Sequence, residues 1–102
     1  MTVHSTTRRD DILKALRENR PVLNAFGVAS LSLFGSFARD EGREDSDVDL
    51  LVEFSRPIGL FEFVRLQRQL GELIGRQVDL VTPAALKPQL RDRILREAVV
   101  AA

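Results

Sequence analysis

Gly35-Ser36-Phe37-Ala38-Arg39, followed by Ser46-Asp47-Val48-Asp49-Leu50-Leu51-Val52, is the stretch on which the fold of this chain turns. The apolar run Leu31 to Phe34 just before it reads as a buried strand entered from Val28. Gly35 breaks that strand, and Ser36 stands where it can cap a short helix through Ala38 and Arg39. The acidic segment Asp40 to Asp45 then leads into a second strand, Val48 to Phe54. Asp47 and Asp49 are two apart at its start, so both side chains leave one face of the pleat, with Cα atoms about 6.5–7 Å apart. Two carboxylates at that separation can hold shared divalent cations. The N–H groups at Gly35 and Ser36 form a phosphate cradle at a helix N-terminus. A cradle facing two carboxylates equips a site for metal-assisted phosphoryl or nucleotidyl transfer.

Upstream of this stretch, the spacing predicts a helix from Thr7 to Asn19, with Ser5, Thr6 or Thr7 as cap and Asp10-Asp11 in the first turn. Ile12, Leu13 and Leu16 form its apolar stripe. Pro21 leaves open whether helix resumes before Gly27, because proline suits a first turn but disrupts an interior. Downstream, Ser55-Arg56-Pro57 reads as a loop, and Phe63, Leu66, Leu70 and Leu73 mark a helix from about Leu60 to Ile74, stopped by Gly75. Gln77 to Val81 reads as a third short strand and Pro88 to about Val99 as a last helix carrying Leu90, Ile94, Leu95 and Ala98. Such an alternation gives an α/β or α+β domain, a small mixed sheet of about three strands with helices packed on one side.

The 102 residues suit one domain, 1–102, without repeats or an interdomain linker. No apolar run approaches the ~20 residues of a membrane span, and no signal-peptide h-region follows Met1, which points to a cytoplasmic protein with no membrane association. Cysteine is absent, excluding disulfides and thiolate zinc sites. A formal net charge of zero argues against direct nucleic-acid binding driven by phosphate neutralisation. The local balance is more telling, because Asp40 to Glu53 holds seven acidic residues against Arg43 alone.

Each signal has a plainer reading. A lone Gly-Ser is usually a strand-to-helix turn. Asp45, Asp47 and Asp49 echo the start of a calcium-binding loop, but Leu50 and Arg56 stand where that loop needs Gly and Glu. Arg39 is as readily a surface arginine, and His4, the sole histidine, has no companion pattern. Asp79, inside Val78-Asp79-Leu80-Val81, is the most informative single residue. A charge within an apolar strand is costly unless it meets solvent, a partner or a metal.

Taken together, Gly35-Ser36, Arg39 and Asp47-x-Asp49 resemble the signature of the DNA polymerase β-type nucleotidyltransferase superfamily. The resemblance is greatest to its smallest members, the minimal nucleotidyltransferase (MNT) proteins, antitoxin partners of HEPN toxins. It runs from about Phe34 to Phe54, resumes at Gly75-Arg76-Gln77-Val78-Asp79-Leu80-Val81, and extends to Leu86-Lys87-Pro88 through Val99. It implies the nucleotidyltransferase fold, with Asp47 and Asp49 binding two Mg²⁺ ions, for which Mn²⁺ can substitute, and Asp79 as the third carboxylate. It further implies ATP as substrate, held through Gly35, Ser36 and Arg39, and AMP transfer to a tyrosine of a cognate HEPN toxin in a hetero-oligomer. Two other roles stay open: an antitoxin acting by occlusion alone, and a small-molecule (antibiotic) adenylyltransferase completed by a partner chain.

Overall fold

Asp10 and Asp11 in the first turn and Arg17 in the last complement the dipole of helix α1 (Arg9–Glu18), which buries Ile12, Leu13 and Leu16. The computed structural model describes residues 8–43 and 45–102. The candidate caps Ser5, Thr6 and Thr7, and His4 with them, lie outside the described residues. Arg8 occupies the N-cap position without a side-chain cap bond. The chain breaks at Asn19, whose side-chain Nδ2 donates to the Ala15 carbonyl at 2.7 Å. Helix resumes as α2 (Arg20–Ala25), with Pro21 in the first turn, where its missing N–H costs nothing.

A four-stranded sheet follows, ordered β3-β2-β1-β4. Strand β1 (Val28–Phe34) runs antiparallel to β2 (Val48–Phe54) and to β4 (Val99–Val100), whereas β2 and β3 (Val78–Val81) are parallel. A parallel pair needs a crossover. Helix α4 (Leu60–Ile74) provides it and ends on Gly75 in the left-handed conformation, φ 78°. Leu66, Leu70 and Ile74 of α4 meet the α1 and α2 stripes over one sheet face, built from Leu31, Leu33, Val48, Leu50, Val52, Val78 and Leu80. The other face carries Asp49, Leu51, Glu53 and Asp79, as strand alternation requires. On the outer edge of β3, the Leu80 N–H donates to the Gln67 side chain at 3.1 Å, so α4 also satisfies part of an otherwise open strand.

Two expectations are corrected at the C-terminal end. The sheet has a fourth strand where about three were expected, and the last helix, α5 (Pro88–Glu97), stops short of Val99, which belongs to β4. A two-residue strand is too short for alternation to register. Arg17 donates to the Val100 and Ala101 carbonyls at 3.2 Å each, holding this segment beside β1. Nor does α5 bury its apolar residues: Leu90 and Leu95 are 46% and 45% exposed. Helical spacing identifies an apolar stripe but not whether a surface awaits it. Among the described residues, no helix is long and apolar enough to cross a membrane.

Candidate active site

Gly35 opens a one-turn helix, α3 (Gly35–Ala38), with φ 74°, a left-handed conformation that glycine adopts without strain. A Cβ at this position would also overlap the Asp49 carboxylate and lie 3.1 Å from its Cγ. Glycine is thus required twice, by the turn and by the approach of Asp49. The sequence places Ser36 as the cap, but the N-cap position falls on Phe34 and no side chain caps the helix. Ser36 lies within the first turn, and its carbonyl accepts the Glu41 N–H at 2.8 Å.

Asp49 and Asp79 are direct partners in the parallel β2–β3 ladder. Paired residues on neighbouring strands share a face and sit about 4.8 Å apart along the hydrogen-bonding direction. Val78 and Leu80 are buried on the core side, so Asp79 emerges on the carboxylate face and is exposed. Asp47 is exposed one residue before β2, and Asp49 is half-buried. The Asp49 carboxyl is pushed up to about 6, first by burial, then by the negative charges of Asp79 and Asp47, with Arg39 opposing. Both neighbours therefore act on Asp49, and burial outweighs either.

Arg39 lies near enough to temper Asp49, but its donors face elsewhere. Nε donates to Glu41 at 2.7 Å and Nη1 to Glu97 of α5 at 3.4 Å. The Glu41 hydrogen bond leads in raising the Arg39 pKa. A pairing reaching from α3 to the end of α5 could not be seen from local spacing. Sequence reasoning also passed over Arg76, which is buried, donates to the Arg43 carbonyl at 3.0 Å and covers the Phe37 ring. An arginine just ahead of an apolar strand looks like a surface residue, and only tertiary contact reveals it.

Among the described residues, no group of three His, Cys, Asp or Glu is arranged so that it could hold a metal ion. The donor chemistry nonetheless fits a hard divalent cation. Asp47, Asp49 and Asp79 offer only carboxylate oxygens, and a cation would offset both the burial and the neighbouring negative charges that raise the Asp49 pKa.

A sequence profile of the nucleotidyltransferase domain matches residues 9–101. The chain is similar to the protein adenylyltransferase MntA of Thermococcus cleftensis, 43% identical over 86 residues that cover 84% of this chain and 81% of that one. A solved structure of a candidate minimal nucleotidyltransferase superimposes with a TM-score of 0.79 at 40% identity, covering 94% of this chain and 98% of that one. A chain of the complex between a tri-AMPylated Shewanella oneidensis HEPN toxin and an MNT antitoxin has a TM-score of 0.57 at 21% identity, covering 92% and 68%, a likeness of fold. The chain belongs to the nucleotidyltransferase domain family and is an enzyme of that class.

Proposed function

We propose that this enzyme transfers AMP from ATP to a tyrosine hydroxyl of a cognate HEPN toxin, acting as the antitoxin of the pair through Asp47, Asp49, Asp79, Gly35 and Ser36. The observation that carries the site is the register pairing of Asp49 with Asp79, beside a glycine whose Cβ would displace Asp49. The adenylyltransferase relative supports AMP transfer to a protein, and the toxin–antitoxin neighbour, alike in fold, is consistent with a toxin as that protein. The exposed Leu90 and Leu95 of α5 are compatible with a protein partner.

In this reading Asp47 and Asp49 would hold two Mg²⁺ ions, with Asp79 contributing to one of them. Metal bound there would supply charge neutralisation for the triphosphate and a lower pKa for the attacking hydroxyl. Gly35 and Ser36 N–H groups and the Ser36 hydroxyl orient the terminal phosphates. The acceptor oxygen bonds to the α-phosphorus, the α–β bridging bond breaks and pyrophosphate leaves, while the hydroxyl proton passes to the Asp79 carboxylate. Arg39, which already opposes the rise of the Asp49 pKa, offsets charge nearby.

The test is to incubate the protein with labelled ATP, Mg²⁺ and the partner toxin, then weigh each chain intact. An AMP-sized mass increase on the toxin is the expected result, and no label on any partner residue overturns it. Metal dependence has its own check. ATP affinity measured by calorimetry should drop at least about tenfold in EDTA and recover with Mg²⁺ or Mn²⁺; affinity indifferent to the chelator would remove the metal from the reading.

Ser36 gives a further prediction. Because it does not cap α3, Ser36→Ala should leave the melting temperature nearly unchanged while transfer falls about 10–100-fold, the worth of a hydrogen bond to a charged phosphate. Ser36→Glu should weaken ATP binding by charge repulsion. Wild-type rates in both would place the phosphates elsewhere.

A further inference from the structure

We infer that Arg76 is a positioning residue for transfer, its buried guanidinium tying together the three segments that carry Gly35-Ser36, Asp47-Asp49 and Asp79. This rests on the nucleotidyl-transfer reading above. Arg76 follows Gly75, which ends α4, and precedes Gln77, whose carbonyl accepts the Val48 N–H at 2.9 Å just ahead of the β2–β3 ladder. Its own backbone therefore belongs to the approach to β3 and Asp79.

The side chain reaches the other two segments. Nη1 donates to the Arg43 carbonyl at 3.0 Å and reaches the Ser46 carbonyl at 3.5 Å, both in the loop that delivers Asp47. The guanidinium carbon lies 5.1 Å from the centre of the Phe37 ring, and Phe37 is the fully buried residue of α3, two beyond Gly35. A Cβ on Gly42 would overlap that same ring, so the loop after α3 is held against Phe37 as well.

Arg76 is only 8% exposed. A permanent charge is costly to bury unless it is paired and hydrogen-bonded, and well-packed apolar residues often replace a buried ion pair without loss of stability. What an apolar side chain cannot do is hold a loop by its carbonyls. Lysine cannot reproduce a planar guanidinium that hydrogen-bonds on its edge and stacks on its face. The arrangement fixes where Asp47 stands relative to Gly35 and Asp79, and displacement of a reacting group by about 1 Å can cost 100-fold in rate.

The experiment compares Arg76→Lys and Arg76→Met with the wild type. It reads the kcat and KM for ATP in transfer to the partner toxin, thermal unfolding, and amide hydrogen exchange in the nucleotide-free protein. We expect kcat to fall about 10–100-fold in both variants, with the KM for ATP within about threefold, as misplacement rather than lost binding predicts. Exchange should accelerate at the Ser46 and Val48 amides, which are hydrogen-bonded to Arg43 and Gln77, while Leu50 and Leu70 stay protected. Wild-type kcat in folded Arg76→Lys overturns the inference. So does exchange that rises equally through the core, or failure of both variants to fold, since Arg76 would then be a strut. If the wild type transfers no nucleotide, the functional reading fails, yet the exchange measurements still decide whether Arg76 orders the loop.

Discussion

Replacing Asp47 and Asp49 together by asparagine should abolish nucleotidyl transfer, lowering it by about three orders of magnitude or more, and should raise the melting temperature of the metal-free protein. Asparagine keeps the shape but removes the charge that would hold cations, and with it several kcal/mol of transition-state stabilisation. The stability gain follows from Asp49. Its carboxyl titrates at about 6 in the folded chain against an ordinary 3.8, raised by burial and then by Asp79 and Asp47. Below pH 3.8 it is protonated in both states and imposes no penalty. Between that value and about 6 the folded chain keeps a proton that the unfolded chain releases, so stability falls as pH rises. Above about 6 the full penalty applies. An uncharged amide in place of the Asp49 carboxyl escapes it, so the melting-temperature difference in EDTA should be small in acid and largest above that pH. A variant less stable than wild type at neutral pH would contradict the electrostatic account. Full protection of cells by the double variant, at matched abundance, would instead favour an antitoxin that acts by occlusion.

The residues assigned to the proposed site were legible because each breaks a local pattern. Gly35 interrupts an apolar run, and Asp79 puts a charge between Val78 and Leu80. The α4 stripe was legible too, since Leu66 and Leu70 recur at helical spacing and are buried, with Phe63 and Leu73 partly buried beside them. What escaped depends on partners distant in sequence. Val99-Val100 becomes a strand only because Leu33 and Ser32 lie alongside. Arg39 turns to Glu97 and Arg76 to Phe37, and neither contact leaves a trace in spacing. Ser36 was misplaced by one turn's logic: a serine after glycine looks like a cap, but the left-handed Gly35 already lies inside the helix.

Asp79→Ala should separate binding from chemistry. Asp79 is exposed, so its removal should leave the fold intact. Asp47 and Asp49 remain to hold metal and ATP, so nucleotide affinity should fall only modestly. Transfer should fall about 10²–10⁴-fold, the range associated with losing a positioned proton acceptor. The Asp49 carboxyl should also move back toward its ordinary value, while staying above it, since burial is the larger cause and Asp47 remains. Single-turnover rates with pre-bound ATP, together with carboxyl titration by nuclear magnetic resonance, read both effects. An unchanged single-turnover rate would exclude Asp79 from the chemical step.

The crossover through α4 decides when in the life of the chain the enzyme comes into being. Strands β1 and β2 pair across a connecting segment that already contains α3, so Gly35, Ser36, Asp47 and Asp49 can assemble from one contiguous stretch. Asp79 joins them across α4 and the turn at Gly75, 30 residues beyond Asp49 where Phe34 and Asp49 pair across 15, a contact of higher order and slower closure. A nascent or partly melted chain can therefore present the two upstream carboxylates without the third. On the proposed mechanism such a chain could capture a cation but would lack the group assigned to accept the proton, and so AMP transfer would itself certify that folding is complete.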